Sequence, residues 1–404
     1  MKRSTIGLRA MYSLSFKMAR YPWIASKLVG IQASKWFFNS LHPRSSKGLG
    51  HPIRQLSLRI TDLCNLRCTT CGQWGSGGFM HGKDLEECIK EEVSPKRYIE
   101  IINDLVRHNH HPVVYLWGGE PMLYRNVLDI INAATELKLP VSIATNGTRI
   151  ATVAEHLVRT PLFLLQVSID GHCAGLHNFI RPSLSDKGNA FGEIEAGLAA
   201  LHEQRRLQRR DLPFIASLTT ISRENANHLT DIYEVFRDRV DFFIFYLAWW
   251  IDEKSAQAHD RDFSQRFGFT PKLHRGWIGT WKPDDYHALD RQLQRLMELS
   301  RLRKAPPVIL IPPLMGAENL RRYYTNHAEL FGFNQCISIF HAAEVNSNGD
   351  VSPCRDYHDY VVGNIKQSTL SVLWNSPAYR TFRQSVAAKG LMPVCTRCCG
   401  LMGY

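Results

Sequence analysis

The stretch QLSLRITDLCNLRCTTC, residues 55–71, carries most of the information about the fold and the chemistry of this chain. Its first six residues predict a β-strand, and three cysteines follow at a Cx3Cx2C spacing: Cys64, Cys68 and Cys71. Three thiolates on one short loop can ligate three irons of a [4Fe–4S] cluster and leave the fourth iron open to a substrate or cofactor. A zinc loop, which normally needs a fourth protein ligand, and plain reduced cysteines are the alternatives.

Outward from this stretch, short apolar runs alternate with longer amphipathic segments. Five further runs predict strands, at residues 113–117, 141–145, 163–169, 214–220 and 242–247. The segments between them predict helices at about 95–108, 123–138, 150–159, 189–206 and 225–238, with Ser94 and Asn225 as candidate caps. Strands alternating with helices form parallel β/α units that curl into an open or closed barrel, with reactive groups at the carboxyl ends of the strands.

The CNLRC sequence and its position after the first strand resemble the radical S-adenosylmethionine (SAM) enzymes. The residue before the third cysteine is usually aromatic in that family and is Thr70 here, so Trp74 or Phe79 would have to supply the packing. The resemblance covers residues 52–250 and implies a partial (β/α)6 TIM-like barrel. It also implies that the open iron of the catalytic [4Fe–4S] cluster binds SAM and cleaves it to a 5′-deoxyadenosyl radical.

Polar and glycine residues at the ends of the next strands match the SAM-binding motifs of this family. Gly118-Gly119-Glu120 resembles the motif that holds the SAM amino group, although alone it indicates only a turn. Strand alternation places Ser168 and Asp170 on one face, where the resemblance implies contact with the SAM ribose or carboxylate. Arg181 could reach that carboxylate or pair with an acidic neighbour. The predicted SAM-binding residues are Gly118, Gly119, Glu120, Asn146, Ser168, Asp170 and Arg181.

A second group of cysteines lies near the end of the chain. Cys336 and Cys354 are expected on adjoining strands of a hairpin, and Cys395 and Cys398 on a later loop. Four thiols suit either a zinc site or a fully ligated [4Fe–4S] cluster. The spacing resembles the auxiliary-cluster modules called SPASM and twitch, so we expect a second [4Fe–4S] cluster. The five cysteines present fit the shorter, single-cluster form, because the full SPASM pattern has seven.

Cys399 and three histidines complete the candidate ligands. Cys399 is an alternative ligand, a substrate-binding thiol or an inert side chain. The run Arg397-Cys398-Cys399 also resembles the tails of radical enzymes that build carbon–arsenic bonds. His108, His110 and His111 end a predicted helix, which favours a solvated helix terminus over a ligand set.

The charge of the chain is concentrated at its beginning. The net charge is +12, yet no acidic residue precedes Asp62 whereas eleven Lys or Arg do, so the remainder is nearly neutral. This distribution disfavours a nucleic-acid binder. The basic leader could pack on the barrel, lie peripherally on an anionic membrane or act as a targeting segment. Clustered thiols without a transmembrane run favour a reducing, cytoplasmic location.

The sequence therefore predicts four regions. They are a basic amphipathic extension (1–50), a radical SAM barrel (51–250), a bridging and helical segment (251–330) and a cysteine-rich α+β auxiliary domain (331–404). The expected reaction is hydrogen-atom abstraction from a small metabolite or peptide in natural-product or modified-peptide biosynthesis. A reductant such as flavodoxin or ferredoxin is the expected partner.

Two alternative functions remain open on the sequence. The first is transfer of a 3-amino-3-carboxypropyl group from SAM to a soft acceptor such as trivalent arsenic. The second is a zinc-stapled, non-catalytic binding protein. The net redox outcome of the reaction, and hence whether the enzyme is an oxidoreductase, isomerase or transferase, is also open.

Overall fold

The computed structural model describes residues 47–402, and one ten-stranded sheet organises them. The order across the sheet is β10-β9-β8-β1-β2-β3-β4-β5-β6-β7. The basic leader lies outside the described residues except for its last four positions. The strands are β1 Gln55–Thr61, β2 Val113–Gly118, β3 Val141–Thr145, β4 Leu164–Ser168, β5 Phe214–Ile221, β6 Phe242–Leu247, β7 Val308–Ile311, β8 Ala342–Val345, β9 Asp350–Ser352 and β10 Gly363–Asn364.

Parallel pairing runs continuously from β8 through β1 to β7, and helices connect most of these strands, as in a partial TIM barrel. The predicted fold class is confirmed, and all six expected strands are present. The seventh strand, β7, was not predicted. It has only four residues inside the proline-rich run APPVILIPP, whose flanking prolines indicate a loop as readily as a strand.

Helices cover the connections between the strands. Among the described residues they are α1 Leu85–Glu91, α2 Pro95–Arg107, α3 Val127–Glu136, α4 Ile150–Arg159, α5 Ala174–Ile180, α6 Ala190–Gln208, α7 Leu229–Phe236, α8 Glu253–Phe267, α9 Tyr286–Leu299, α10 Ala317–Thr325, α11 Ser338–His341, α12 Leu370–Leu373, α13 Pro377–Lys389 and α14 Cys399–Met402.

One predicted helix cap is confirmed and the other is wrong. The Ser94 hydroxyl accepts the Arg97 amide at the start of α2, with Pro95 in the first turn. Asn225 does not cap a helix, because α7 begins only at Leu229. Its side-chain amide instead donates to the backbone oxygens of Asp170 and Thr220, which fastens the ends of β4 and β5 together.

Residues 251–282 show no clear apolar period and so predict an irregular insert, yet they contain the regular helix α8. In α8 only three residues are buried, Ala256, His259 and Phe263, at helical spacing. The other side chains are mostly polar, and so narrow a buried face leaves little apolar periodicity in the sequence. Asp252 caps the helix by accepting the Ser255 amide. The sequence also predicts a polar helix at about 284–303, after this stretch, and α9 confirms it.

The C-terminal residues share the core of the barrel. Strand β8 pairs with β1, and Leu58 and Ile143 of the barrel belong to the same buried apolar cluster as Trp374 and Val394. The predicted hairpin exists as β8 and β9, but its cysteines are not on the strands. Cys336 precedes α11 and Cys354 follows β9, so both cysteines lie at the end of the hairpin opposite its turn.

No helix among residues 47–402 is long and apolar enough to cross a membrane.

Candidate active site

The loop after β1 holds Cys64, Cys68 and Cys71. Their thiols lie close enough to interact electrostatically in all three pairs. The Leu66 amide donates to Cys64 Sγ at 3.5 Å and the Trp74 amide to Cys71 Sγ at 3.3 Å. Burial raises the pKa of Cys64 to about 11 and that of Cys68 to about 12. A bound cation is what would hold these thiols as thiolates, so the donor set fits an iron–sulfur cluster.

The two glycines after β2 bring their backbone against this cysteine loop. The Gly119 amide donates to the Thr61 carbonyl at 2.8 Å, and the Glu120 amide to the Leu63 carbonyl at 2.7 Å. A Cβ at Gly118 would overlap the Thr61 carbonyl oxygen, and one at Gly119 the Leu63 carbonyl oxygen. The glycines therefore set the position of the loop that carries Cys64.

Glu120 is fully buried and joins the ends of β2 and β3. One carboxylate oxygen accepts from the Thr145 hydroxyl at 2.7 Å and the Met122 amide at 3.0 Å, and the other accepts from the Asn146 amide at 2.6 Å. Burial raises the pKa of Glu120, and these three donors oppose that effect. A carboxylate has about four acceptor positions, so one remains for an ammonium group.

Asn146, directly after β3, connects this network to the cysteine loop. Its side-chain amide donates to Asn65 Oδ1 at 2.8 Å and lies 3.9 Å from Cys64 Sγ. Its oxygen accepts from the amide and the hydroxyl of Thr148. Asn146 thus orients the loop between Cys64 and Cys68 at the carboxyl end of β3.

Asp170 and Arg181 form a buried ion pair behind Cys68. Arg181 Nε lies 2.7 Å from Asp170 Oδ2, and Arg181 Nη1 lies 3.6 Å from Cys68 Sγ. Burial raises the pKa of Asp170, while Arg181 and the Thr220 amide act to lower it. Burial alone would lower the pKa of Arg181, but Asp170 and Cys68 raise it above its ordinary value. The guanidinium thus offsets part of the effect of burial on Asp170. Ser168 and Arg181 both line an open cavity.

The C-terminal cysteines lie together and line one cavity. Burial raises the pKa of Cys395 to about 12 and that of Cys398 well above its ordinary value, with neighbouring thiols adding to the effect. Cys336 and Cys354 are partly buried, and each interacts electrostatically with another thiol of the set. Four neighbouring thiols fit a thiolate-ligated cluster.

Cys399 and Asp356 stand beside these four thiols. The Cys398 and Cys399 thiols both donate to the Asp356 carboxylate, at 3.2 Å in each case. Cys399 interacts electrostatically with Arg355 and Glu344. Burial is the main cause of the raised pKa of Tyr246 across the cavity, and Cys399 adds to it. Cys399 thus interacts with residues of the barrel as well as with its neighbouring cysteine.

One cavity of about 410 Å³ extends from Thr70, in the loop of the first three cysteines, to the C-terminal cysteines. Thr70, Ser168 and Arg181 line it on the side of the β1 loop. The opposite side is formed by all five C-terminal cysteines: Cys336, Cys354, Cys395, Cys398 and Cys399. Its walls are rich in aromatic side chains from several elements: Tyr115, Trp117, Tyr246, Trp249, Trp250, Trp277 and Tyr357.

Several charged or aromatic wall residues were not predicted from the sequence, among them Trp277, Glu344, Arg355 and Asp356. Arg355 lies 3.3 Å from Glu344 and over the Tyr115 ring, 5.0 Å from its centroid. Asp356 follows Cys354 by two residues, a spacing that could have drawn attention to it. Trp277 belongs to the stretch taken as irregular, and packs against Gly72 beside Cys71.

Three further predictions around the site concern Trp74, the end of β6 and the histidines after α2. Trp74 is buried and donates to the Asp62 carbonyl at 2.8 Å, while the Arg67 guanidinium lies over its ring. Residues 245–250, FYLAWW, form an aromatic run at the end of β6. Tyr246, Trp249 and Trp250 of this run line the cavity, whereas Phe245 lies in the core. His108 ends α2, and His110 accepts the Ile53 amide at 3.0 Å.

Two family models match this chain. A model of the radical SAM superfamily matches residues 58–234, and a model of an iron–sulfur cluster-binding domain, SPASM, matches residues 336–399. The AdoMet-dependent heme synthase of Methanosarcina barkeri is 24% identical over 346 residues, which are 85% of this chain and 88% of that protein. The pre-heme d1 synthase of Dinoroseobacter shibae is 24% identical over 83% of this chain and 76% of its own.

The fold has solved counterparts. The crystal structure of Streptococcus suis SuiB bound to precursor peptide SuiA superposes with a TM-score of 0.55 at 15% identity, covering 83% of this chain and 67% of that one. Another structure of SuiB was solved with SAM bound. At this level of identity the likeness concerns the arrangement of the barrel and the C-terminal residues.

Proposed function

Because this chain belongs to the radical SAM superfamily and carries a C-terminal SPASM iron–sulfur domain, we propose that it abstracts a hydrogen atom from an organic substrate bound between two clusters. The expected cofactors, a SAM-binding [4Fe–4S] cluster and an auxiliary iron–sulfur cluster, are confirmed. The alternative of a non-catalytic, zinc-stapled protein is set aside. When bound, the catalytic cluster and SAM supply the 5′-deoxyadenosyl radical that takes the hydrogen atom.

The observation that carries the proposal is the shared cavity. Arg181 and Ser168 line one side of it, and the thiol of Cys399 the other. A substrate in this space would touch both the SAM site and the edge of the auxiliary site. Aromatic walls exclude water from such a space, which protects a radical from side reactions.

We assign Cys64, Cys68 and Cys71 to the catalytic cluster because they share one loop and their thiols interact electrostatically with one another. Glu120, with one acceptor position left, would hold the SAM amino group, and the backbone of Gly118 would lie beside it. Ser168 would contact the SAM ribose or carboxylate. Asn146, Asp170 and Arg181 act through the cysteine loop and the ends of the strands, and are therefore positioning residues in this proposal.

For the auxiliary cluster we assign Cys336, Cys354, Cys395 and Cys398 as the ligands. Cys399 remains as the thiol that faces the substrate, and its hydrogen bond to the Asp356 carboxylate fixes its position. In an oxidation, an auxiliary cluster at this position could accept the electron that a substrate radical loses. A redox-neutral reaction would use the same site only as a wall of the pocket.

The proposed substrate is a small molecule with an extended apolar or aromatic face. Tyr115, Trp117 and Tyr246 offer flat surfaces to such a face. Two relatives that align with most of the chain are named as a heme synthase and a pre-heme d1 synthase. A tetrapyrrole is therefore the first substrate class to test. A peptide, as bound by SuiB, is the second.

The proposal is tested with anaerobically reconstituted protein, SAM and dithionite. We expect 5′-deoxyadenosine from the wild type, none from Cys68→Ala, and wild-type amounts from Cys173→Ala, which removes an exposed cysteine outside both groups. Methylthioadenosine as the product would instead favour transfer of the aminocarboxypropyl group. Absence of any SAM cleavage by an iron-loaded wild type would contradict both functions.

A further inference from the structure

A cluster of two histidines and one aspartate lies apart from both cysteine groups. His172 follows β4 and Gly171, whereas His228 and Asp231 belong to the start of α7, after β5. One ligand atom from each of the three lies within 4.8 Å of the other two. Residues far apart in the sequence thus present two imidazoles and a carboxylate at one point on the edge of the barrel.

We propose that His172, His228 and Asp231 bind a divalent transition metal ion, with Zn²⁺ as the ion the donor set suits. Imidazole nitrogen and carboxylate oxygen are the usual protein ligands of zinc outside thiolate sites. Ligands of one tetrahedral zinc ion lie about 3.3–3.5 Å apart, so the side chains need to close in by about 1 Å. A water molecule would complete the tetrahedron.

The side chains have the freedom for this movement. The His228 side chain is 43% exposed and that of Asp231 52%, and His228 Nδ1 already lies 2.9 Å from Asp231 Oδ2. The imidazole rings of His172 and His228 have centroids 5.0 Å apart. His228 is the residue before α7, yet its side chain makes no capping hydrogen bond. The helix start therefore does not require it.

An unsatisfied nitrogen gives a second, independent indication of a ligand. The Nδ1 atom of His172 is buried and has no hydrogen-bond partner among the described residues. A buried polar atom without a partner costs free energy that a metal bond or a fixed water would recover. Because a metal ion would bind this nitrogen, the neighbouring imidazole and the carboxylate at once, it accounts for the cluster better than a fixed water does.

Metal binding here would join the ends of β4 and β5 by a second connection. Asn225 already donates to the Asp170 carbonyl and belongs to the turn that leads into α7. A metal ion held by His172 on one side and by His228 and Asp231 on the other would brace the same two segments. It would therefore stabilise the folded state, by an amount that grows with the logarithm of the free metal concentration above the Kd.

The test uses the cluster-loaded protein, so that both cysteine groups are occupied by iron. The protein is equilibrated with micromolar ZnCl₂ and dialysed, and zinc and iron are measured by mass spectrometry. We expect about one zinc ion per chain in the wild type and none in His172→Ala or His228→Ala. His287→Ala, which removes an exposed histidine of α9, is the matched control and should keep the zinc.

Unchanged iron content shows that the two variants fold and load their clusters. Zinc should also raise the thermal unfolding temperature of the wild type and of His287→Ala, but not that of His172→Ala. Two results would overturn the proposal. One is an iron-loaded wild type that retains no zinc. The other is equal zinc retention by His172→Ala, His228→Ala and the wild type.

Discussion

The guanidinium of Arg181 lies 2.7 Å from the Asp170 carboxylate, and the same guanidinium reaches Cys68 Sγ at 3.6 Å. The fully buried Asp170 therefore acts on the cysteine loop through Arg181. Thr220 and Asn225 hold Asp170 from the far side. The ion pair thus connects the ends of β4 and β5 to the loop that follows β1.

Replacing Arg181 by Met should destabilise the protein strongly. The substitution leaves Asp170 as a buried carboxylate without its counter-charge, which costs about 3–5 kcal/mol. Urea unfolding of the cluster-loaded protein measures the effect. Arg206→Met is the control, since Arg206 and Glu203 form an exposed pair, and it should leave stability unchanged. Equal stability of the two variants would show that Asp170 does not depend on Arg181.

Gly119→Ala should displace the cysteine loop. The added methyl group would overlap the Leu63 carbonyl oxygen, one residue before Cys64. We expect the catalytic cluster to be lost while the auxiliary cluster remains, so iron content should fall from about eight to about four per chain. Gly175→Ala, where a Cβ meets open space, should keep the full iron content. A fully loaded Gly119→Ala protein would contradict this role of the glycine.

Glu120→Gln should weaken SAM binding. Both carboxylate oxygens accept hydrogen bonds, so an NH₂ group on either side faces a donor and leaves one bond unmade. The loss of charge also removes the attraction for the SAM ammonium group. We expect the Kd for SAM to rise about tenfold or more, as measured by equilibrium dialysis of cluster-loaded protein. An unchanged Kd would place the SAM amino group elsewhere.

His259 should make stability depend on pH. Burial lowers the pKa of His259 to about 3, and His274 and Arg266 add to the effect. In the unfolded chain this histidine binds a proton near pH 6.5. As the pH falls from 6.5 towards 3, the unfolded state therefore gains protons that the folded state lacks, and the free energy of unfolding decreases.

The His259→Phe variant isolates this contribution. Between pH 7.5 and 5.5 the wild type should lose about 1–2 kcal/mol more of its unfolding free energy than the variant does. Denaturant unfolding at the two pH values measures the difference. Parallel pH profiles would mean that His259 is protonated equally in the two states.

The candidate site residues of the barrel could be predicted because each of their motifs is short and continuous in the sequence. Cys64, Cys68 and Cys71 lie within eight residues, and Glu120 and Asn146 each follow a clear strand. Their exact contacts could not be predicted. Glu120 binds to the end of β3 because parallel strands bring distant loops to one edge. The pairing of Asp170 with Arg181, eleven residues later in the chain, was one of the two alternatives open on the sequence.

The cavity walls were harder to predict for a related reason. Trp277, Glu344 and Arg355 come from segments with weak periodicity, and only the packing of the C-terminal residues against β1 brings them to the cavity. Strand β8 is only four residues long, and its parallel partner lies almost 300 residues earlier in the chain. A pairing across such a separation leaves no local signal in the sequence.

The central claim is that one cavity serves both clusters, and a crystal structure of the anaerobic protein with SAM tests it most directly. We expect iron at both groups of thiols, and the 5′ carbon of SAM facing the cavity between Ser168 and Cys399. SAM bound outside this cavity, or thiols without iron at either group, would contradict the account.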